Sequence, residues 1–327
     1  MKLAIGLPAV LAATLLVLGY LIFIWWLDRY EREPIWLVAL VFLWGATIGA
    51  GCGCSINTTI LAPFKQTFSA TAAMGIGAVL VAPLVEEVTK GLVFLPLVWT
   101  DHFDNETDGL IYGAASGLGF ATIENLYYFL QFVSSDNFGV AMMLVAIAMR
   151  ALFTAVMHSI STALLGMAVG YARHRHSAGK SRWVIYPLIG YVLAVANHAL
   201  WNGAAVLAKF NAGFQLAGIG LVLLASAVLF ALTQWSLNRE HKLIQRHLRQ
   251  EADRGLLPPN HAEIIPYWLK RRKDDWLPEY VDKNSYVESA TLLAFRLHQR
   301  EIADGARRDS YNQEIERFRE DIEELLP

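Results

Sequence analysis

Charged side chains are scarce in this sequence of 327 residues, at 17% against about 25% in ordinary soluble domains. Apolar residues make up 55% of the chain and 38 residues are aromatic, which excludes a disordered or collagen-like protein. Only two cysteines are present, so a disulfide scaffold is excluded as well. The net charge of −2 leaves no basic excess, and we expect no nucleic-acid partner. So much apolar surface indicates a protein embedded in the lipid bilayer.

The charges that are present lie mainly at the end of the chain. Residues 239–327 carry 34 of the 56 charged side chains. This asymmetry predicts a transmembrane domain over residues 1–238 and a charged cytoplasmic tail over residues 239–327. Apolar residues at helical spacing, from Ile315 to Leu326, predict an amphipathic last helix. Two interpretations of the tail stay open, a solvated helical appendage and a regulatory or partner-binding element.

Seven apolar runs are each long enough to cross a bilayer core of about 30 Å as a helix. The predicted fold class is therefore an all-α polytopic membrane protein, a bundle of about seven transmembrane helices with a helical soluble C-terminal tail. The first run is too long for the core of a signal peptide, and we expect it to be retained. The runs cover residues 3–27, 35–56, 70–99, 109–133, 140–171, 184–208 and 213–237.

The distribution of basic residues predicts the orientation in the membrane. Lysine and arginine are concentrated in the loops at residues 28–34 and 173–182 and in the tail, and such segments favour the cytoplasmic side. We therefore expect the N-terminus outside and the tail in the cytoplasm. Glycines also recur every four residues in the second, fourth and fifth runs, which predicts that these three helices pack closely at the centre of the bundle.

Ionisable residues within the apolar runs are the strongest functional signal, because each costs several kcal/mol in lipid unless it is paired or hydrated. The third run contains Glu86, Glu87 and Lys90. Lys90 lies four residues after Glu86 on one helical face and can neutralise one carboxylate, which leaves the other free to react. Further polar residues occur in the next three runs: Glu124 with Asn125, a polar stripe on one helical side from Arg150 through His158 to Thr162, and His198 with Asn202.

This set of residues is compatible with two hydrolytic mechanisms. His158, His198 and Glu124 could hold Zn²⁺ with one position open for water, while Glu86 or Glu87 takes up the proton. Alternatively, a glutamate activates water directly, and histidine and asparagine stabilise the oxyanion. Both routes end in hydrolysis of an amide within the membrane. The same residues could also form the proton or ion pathway of a transporter. Many transporters contain a repeated half, however, and the chain has no second Glu-Glu-x-x-Lys segment. A third possibility is a non-catalytic membrane scaffold.

Several motifs together resemble the PrsW family of bacterial intramembrane proteases, which are treated as probable metalloproteases. They are Asp28-Arg-Tyr-Glu-Arg-Glu-Pro34, Glu86-Glu-x-x-Lys90, Asp108-Gly-x-x-Tyr-Gly followed by Gly117-x-Gly-Phe-Ala-x-x-Glu124-Asn125, the span from Arg150 to His158, and His198-x-x-x-Asn202.

The resemblance implies cleavage of single-span or other membrane-protein substrates in a bacterial inner membrane. The best-known member of the family cuts an anti-sigma factor as the first step of a stress-signalling cascade, so regulated proteolysis is an implied role. The resemblance also implies that Glu86 and Glu87 are the catalytic pair, and that the histidines are ligands or oxyanion stabilisers. The motif layout is similar to that of the CAAX-prenyl endopeptidases, in which a histidine stands where this chain has Glu124.

Overall fold

A computed structural model describes residues 2–100, 102–134, 139–174, 179–303 and 305–326. Every regular element within these ranges is helical, as the composition predicts. Asp101, and residues 175–178 of the predicted basic loop, lie outside the described residues.

The helices are numbered here in chain order, and a helix that contains a wider turn is counted once. They are α1 (Lys2–Leu27), α2 (Ile35–Thr67), α3 (70–91), α4 (Phe94–Leu97), α5 (Glu106–Ser134), α6 (Val140–Arg173), α7 (Arg182–Leu207), α8 (Gly213–Asp253), α9 (Pro259–Ile264), α10 (Trp268–Arg271), α11 (Lys283–Ile302) and α12 (Ala306–Leu325).

Five helices in the described part of the chain are long and apolar enough to cross a membrane, namely α1, α2, α6, α7 and α8. The prediction of one continuous helix over residues 70–99 is wrong, because α3 ends at Gly91 and the short helix α4 follows. Pro96 lacks the N–H that a continuous helix would need at that point. The crossing of the membrane by residues 70–99 and by residues 109–133 stays a prediction.

Helix α5 lies at the centre of the bundle, and all of its residues from Glu106 to Ala121 are buried. Glycines allow backbones to approach it closely. A Cβ atom on Gly45 of α2 would lie 1.9 Å from the carbonyl oxygen of Ser116, and one on Gly117 would lie 2.3 Å from that of His158. The predicted close packing of the second, fourth and fifth apolar runs is confirmed.

Three of the long helices contain one wider turn with i→i+5 hydrogen bonds. These π turns cover residues 45–49 in α2, 77–81 in α3 and 150–154 in α6. Turns of this kind are rare and change the phase of the side chains that follow. In α3 and α6 they precede Glu86 and His158, two of the residues that the sequence marks as candidates.

The chain divides into two compact units. The first comprises residues 1–27 and 33–232, and the second comprises residues 28–32 and 233–327. The second unit has its own core, in which residues of α8, α11 and α12 pack together, including Ile244, Leu293 and Ile322.

The short segment at residues 28–32 is an integral part of this second unit. The Tyr30 hydroxyl donates a hydrogen bond of 2.8 Å to the carbonyl oxygen of Pro266. The Arg29 guanidinium lies 5.7 Å from the centre of the Trp268 ring. Part of the Asp28–Pro34 motif therefore packs with C-terminal residues.

Candidate active site

Glu87 is a buried carboxylate with a partner for each of its two oxygens. Its Oε1 atom lies 2.5 Å from the Lys90 ammonium and 2.9 Å from Nδ1 of His198. Its Oε2 atom accepts a hydrogen bond of 3.0 Å from the Thr162 hydroxyl. The side chains of Glu87 and Lys90 are fully buried, so each neutralises a charge that would otherwise be costly in this environment.

The partner of Lys90 differs from the one that the spacing favours. The sequence places Lys90 on the face of Glu86, four residues earlier, whereas the structure pairs it with Glu87, three residues earlier. Both spacings bring side chains together on a helix. The contacts from His198 and Thr162, which belong to other helices, decide between them by holding Glu87 beside the ammonium.

Glu86 is consequently the carboxylate with an uncommitted oxygen. Its Oε1 atom accepts a hydrogen bond of 3.0 Å from the side-chain amide of Asn57 in α2. Its Oε2 atom is buried and has no hydrogen-bond partner among the described residues. The nearest basic group is Nε2 of His198, at 3.8 Å. A buried oxygen without a donor is costly, which makes this atom a natural position for a cation or a water proton.

A second charged group forms around Glu124 of α5. Its Oε2 atom lies 2.8 Å from a terminal nitrogen of Arg150 and 2.8 Å from Nε2 of His158. Arg150 also donates a hydrogen bond of 2.9 Å to Asn125, and its guanidinium lies over the Tyr128 ring. Glu124 has no basic neighbour in the sequence, and the prediction that it needs a partner from another helix is confirmed.

The two histidines connect these groups. The rings of His158 and His198 lie edge to face with their centres 4.7 Å apart, and both are buried. Nδ1 of His158 lies 3.2 Å from the Lys90 ammonium. Ligand atoms of Glu86, His158 and His198 all lie within 4.8 Å of one another. The structure thus gathers Glu86 with the two histidines, whereas the ligand set predicted from the sequence has Glu124 in that position.

Asn202 lies apart from this cluster. Its side-chain amide donates a hydrogen bond of 2.8 Å to the carbonyl oxygen of Ala78, in the π turn of α3. Sequence reasoning missed Asn57, because the predicted second run ends at residue 56 although α2 continues to Thr67. A polar residue directly after an apolar run was the only available signal. Thr162 was part of the predicted polar stripe, and the structure gives it a specific partner in Glu87.

Comparison with known proteins adds a family likeness to this geometry. The profile of the family described as "PrsW family intramembrane metalloprotease" matches residues 33–233. Protease PrsW of Oceanobacillus iheyensis is 27% identical over 197 residues, which are 60% of this chain and 80% of the relative. Protease PrsW of Geobacillus kaustophilus is 28% identical over 232 residues, or 69% and 87%. The protein of the same name from Clostridioides difficile is 36% identical over 118 residues, or 35% and 48%. No solved structure matches the chain.

Proposed function

Because this chain belongs to the PrsW family and is an integral membrane protease, we propose that it hydrolyses peptide bonds of membrane proteins at a centre formed by Glu86, His158 and His198. The observation that carries the proposal is the convergence of three ligand atoms within 4.8 Å, beside a buried carboxylate oxygen that has no donor. The proposed setting is a bacterial inner membrane with the C-terminal unit in the cytoplasm, and the proposed substrates are single-span or other membrane proteins.

The donor set fits a zinc ion. Two imidazoles and one carboxylate are a common protein ligand set of catalytic zinc, which keeps a further position open. The unpartnered Oε2 of Glu86, 3.8 Å from Nε2 of His198, is the atom that a cation would satisfy. When bound, zinc supplies Lewis-acid activation of a water molecule and of the scissile carbonyl group.

Two further carboxylates orient the histidines. Glu87 holds Nδ1 of His198, which leaves the Nε2 atom of the same ring on the side of Glu86. Glu124 holds Nε2 of His158, and Nδ1 of the same ring faces the centre, where it lies 3.2 Å from the Lys90 ammonium and would exchange this contact for the metal. A hydrogen bond to the second ring nitrogen fixes the tautomer and orientation of a ligating histidine. We therefore assign Glu87 and Glu124 as positioning residues.

Lys90 gives the centre a buried positive charge. Its ammonium is held by Glu87 and lies 3.2 Å from Nδ1 of His158. During amide hydrolysis, negative charge develops on the carbonyl oxygen of the substrate, and a fixed cation in a medium of low polarity stabilises that charge. The Asn57 amide holds the other oxygen of Glu86, so this carboxylate cannot rotate freely.

The test measures zinc content and cleavage on the same preparations. Purified full-length protein is reconstituted in liposomes with a library of single-span substrates. The variants are Glu86→Gln and His198→Ala, with the exposed His102→Ala as a matched control. We expect both site variants to lose one zinc ion per chain relative to wild type and at least about 10²-fold in cleavage rate, whereas the control loses neither.

Three outcomes would contradict parts of the proposal. Cleavage at the wild-type rate by Glu86→Gln would contradict the assignment of the catalytic centre to these residues. Full zinc content with loss of cleavage would reassign Glu86 from ligand to proton acceptor. Unchanged cleavage after exhaustive removal of metal would reject zinc and retain the direct action of the glutamate on water.

A further inference from the structure

Three side chains of the C-terminal unit form a second group with metal-ligand chemistry, separate from the candidate active site. His247 belongs to α8, and His298 and Glu301 belong to α11. Ligand atoms of the three residues all lie within 4.8 Å of one another. Because His298 and Glu301 are three residues apart, they share one face of α11.

The geometry of this group centres on one carboxylate oxygen. Oε2 of Glu301 lies 4.0 Å from Nε2 of His247 and 3.9 Å from Nδ1 of His298. Ligands of tetrahedral zinc are about 3.3 Å apart when each bond is about 2.0 Å. The two contacts to Glu301 would have to shorten by about 0.6–0.7 Å, and the two histidine nitrogens, which lie within 4.8 Å of each other, by at most about 1.5 Å. Rotation of the side chains can provide such movements.

The burial of His247 is the independent observation that points to a ligand. Its side chain is only 2% exposed, and its Nε2 atom has no hydrogen-bond partner within the described part of the chain. This nitrogen faces the Glu301 carboxylate at a distance too long for a hydrogen bond. This buried ring nitrogen therefore needs a partner. A cation bound between it and the Glu301 carboxylate would supply one.

The surrounding charges leave one side of the carboxylate available. Arg246 lies 3.7 Å from Oε1 of Glu301, so it pairs with the oxygen other than the one nearest to the two histidines. Arg239 and Arg300 add further positive charge nearby. Their charge opposes the binding of a cation, and the negative charge of the Glu301 carboxylate offsets this repulsion. Glu301 is 39% exposed, and the group is therefore accessible to ions from solvent.

We propose that His247, His298 and Glu301 form a structural zinc site that joins α8 to α11 in the C-terminal unit. Two imidazoles and one carboxylate suit Zn²⁺ better than Mg²⁺ or Ca²⁺, which prefer oxygen ligands. The accessible side at Glu301 leaves room for a water molecule as the fourth ligand. Bound zinc connects two helices of one core, so occupancy of the site makes the stability of this unit depend on the free zinc concentration.

The experiment isolates this site by removing the other one. Full-length protein carrying His198→Ala is purified in detergent and stripped with a chelator, and Zn²⁺ is titrated by calorimetry. We expect one remaining high-affinity site per chain. Adding Glu301→Gln or His298→Ala should weaken its affinity at least about 100-fold, because the loss of a direct ligand costs more than the roughly 10–100-fold typical of losing a group that only orients a ligand.

A matched control lies on the same helix. Glu288 is exposed on α11 and outside the cluster, so Glu288→Gln should leave the zinc affinity within about twofold of the parent. His247→Ala should also abolish binding, and if the loss of this buried ring prevents folding, Glu301→Gln decides alone because its side chain is partly exposed. Zinc binding by Glu301→Gln as tight as in the parent, or no stoichiometric binding in the parent, overturns the proposal.

Discussion

The glycine contacts of α2 allow a test of how closely the candidate site depends on helix packing. We expect Gly45→Ala to destabilise the protein and Gly51→Ala to be tolerated, although both change a glycine of the same helix. A Cβ atom at position 45 would lie 1.9 Å from the carbonyl oxygen of Ser116, whereas one at position 51 has nothing within 4 Å. The pair therefore separates the packing effect from the effect of alanine on helix formation.

The loss of stability expected for Gly45→Ala follows from the size of the steric clash. Real Cβ atoms essentially never approach closer than 3.0 Å, so Gly45→Ala requires α2 and α5 to separate by about 1 Å. Overpacking of this kind typically costs about 1–3 kcal/mol, and here a backbone oxygen must move rather than a flexible side chain. Gly51→Ala should lie between neutral and about 1 kcal/mol stabilising, because alanine favours the helix.

Activity should respond more strongly than stability. Helix α2 also carries Asn57, which holds the Glu86 carboxylate. A displacement of about 1 Å in a positioning group can cost about 10²-fold in rate, so we expect a loss of this order for Gly45→Ala. Unfolding in detergent and cleavage in liposomes measure the two effects. If the Gly45 and Gly51 variants behave alike in both assays, the reasoning from helix contact is refuted.

Three further predictions concern buried polar groups. Lys90→Met should destabilise the protein by about 3–5 kcal/mol in thermal unfolding, because it leaves the Glu87 carboxylate buried without its cation, whereas the exposed Lys65→Met should have no effect. Thr162→Val removes a donor to the same carboxylate and should cost about 1–3 kcal/mol in the same assay. Burial lowers the pKa of His261 in the C-terminal unit, so the folded state binds fewer protons than the unfolded state, and stability should fall as the pH drops below about 6.5. Thermal unfolding between pH 7.5 and 5.5 measures this slope, which His261→Gln should reduce.

The sequence was sufficient to identify the ionisable residues of the candidate site, though not Asn57, because ionisable groups are rare in the apolar runs. Helical periodicity also placed Arg150 and His158 on one side of their helix. Eight residues of regular α-helix, however, advance about 80° beyond two full turns. The π turn at residues 150–154 holds more residues than an α turn and absorbs much of this excess, so both side chains reach Glu124.

Contacts between helices could not be obtained from periodicity. The choice of Glu87 over Glu86 as the partner of Lys90 depends on groups contributed by α6 and α7. The position of Asn202 depends on the carbonyl oxygen of Ala78, which accepts a hydrogen bond from its side-chain amide. Ala78 lies in a π turn that no residue pattern in the sequence predicts. In each case a residue distant in sequence determines the partner, and the spacing of residues within one helix carries no information about it.

The membership of residues 28–32 in the C-terminal unit constrains the count of membrane crossings. This segment follows α1 directly and packs with residues far along the chain, such as Pro266. Both must therefore lie on the same side of the bilayer, and the chain between them must cross an even number of times. If α2, α6, α7 and α8, which are long and apolar enough, each cross once, residues 70–99 and 109–133 cross together or not at all. If α1 crosses as well, parity allows five or seven crossings and not six, and we expect the two termini on opposite sides of the membrane.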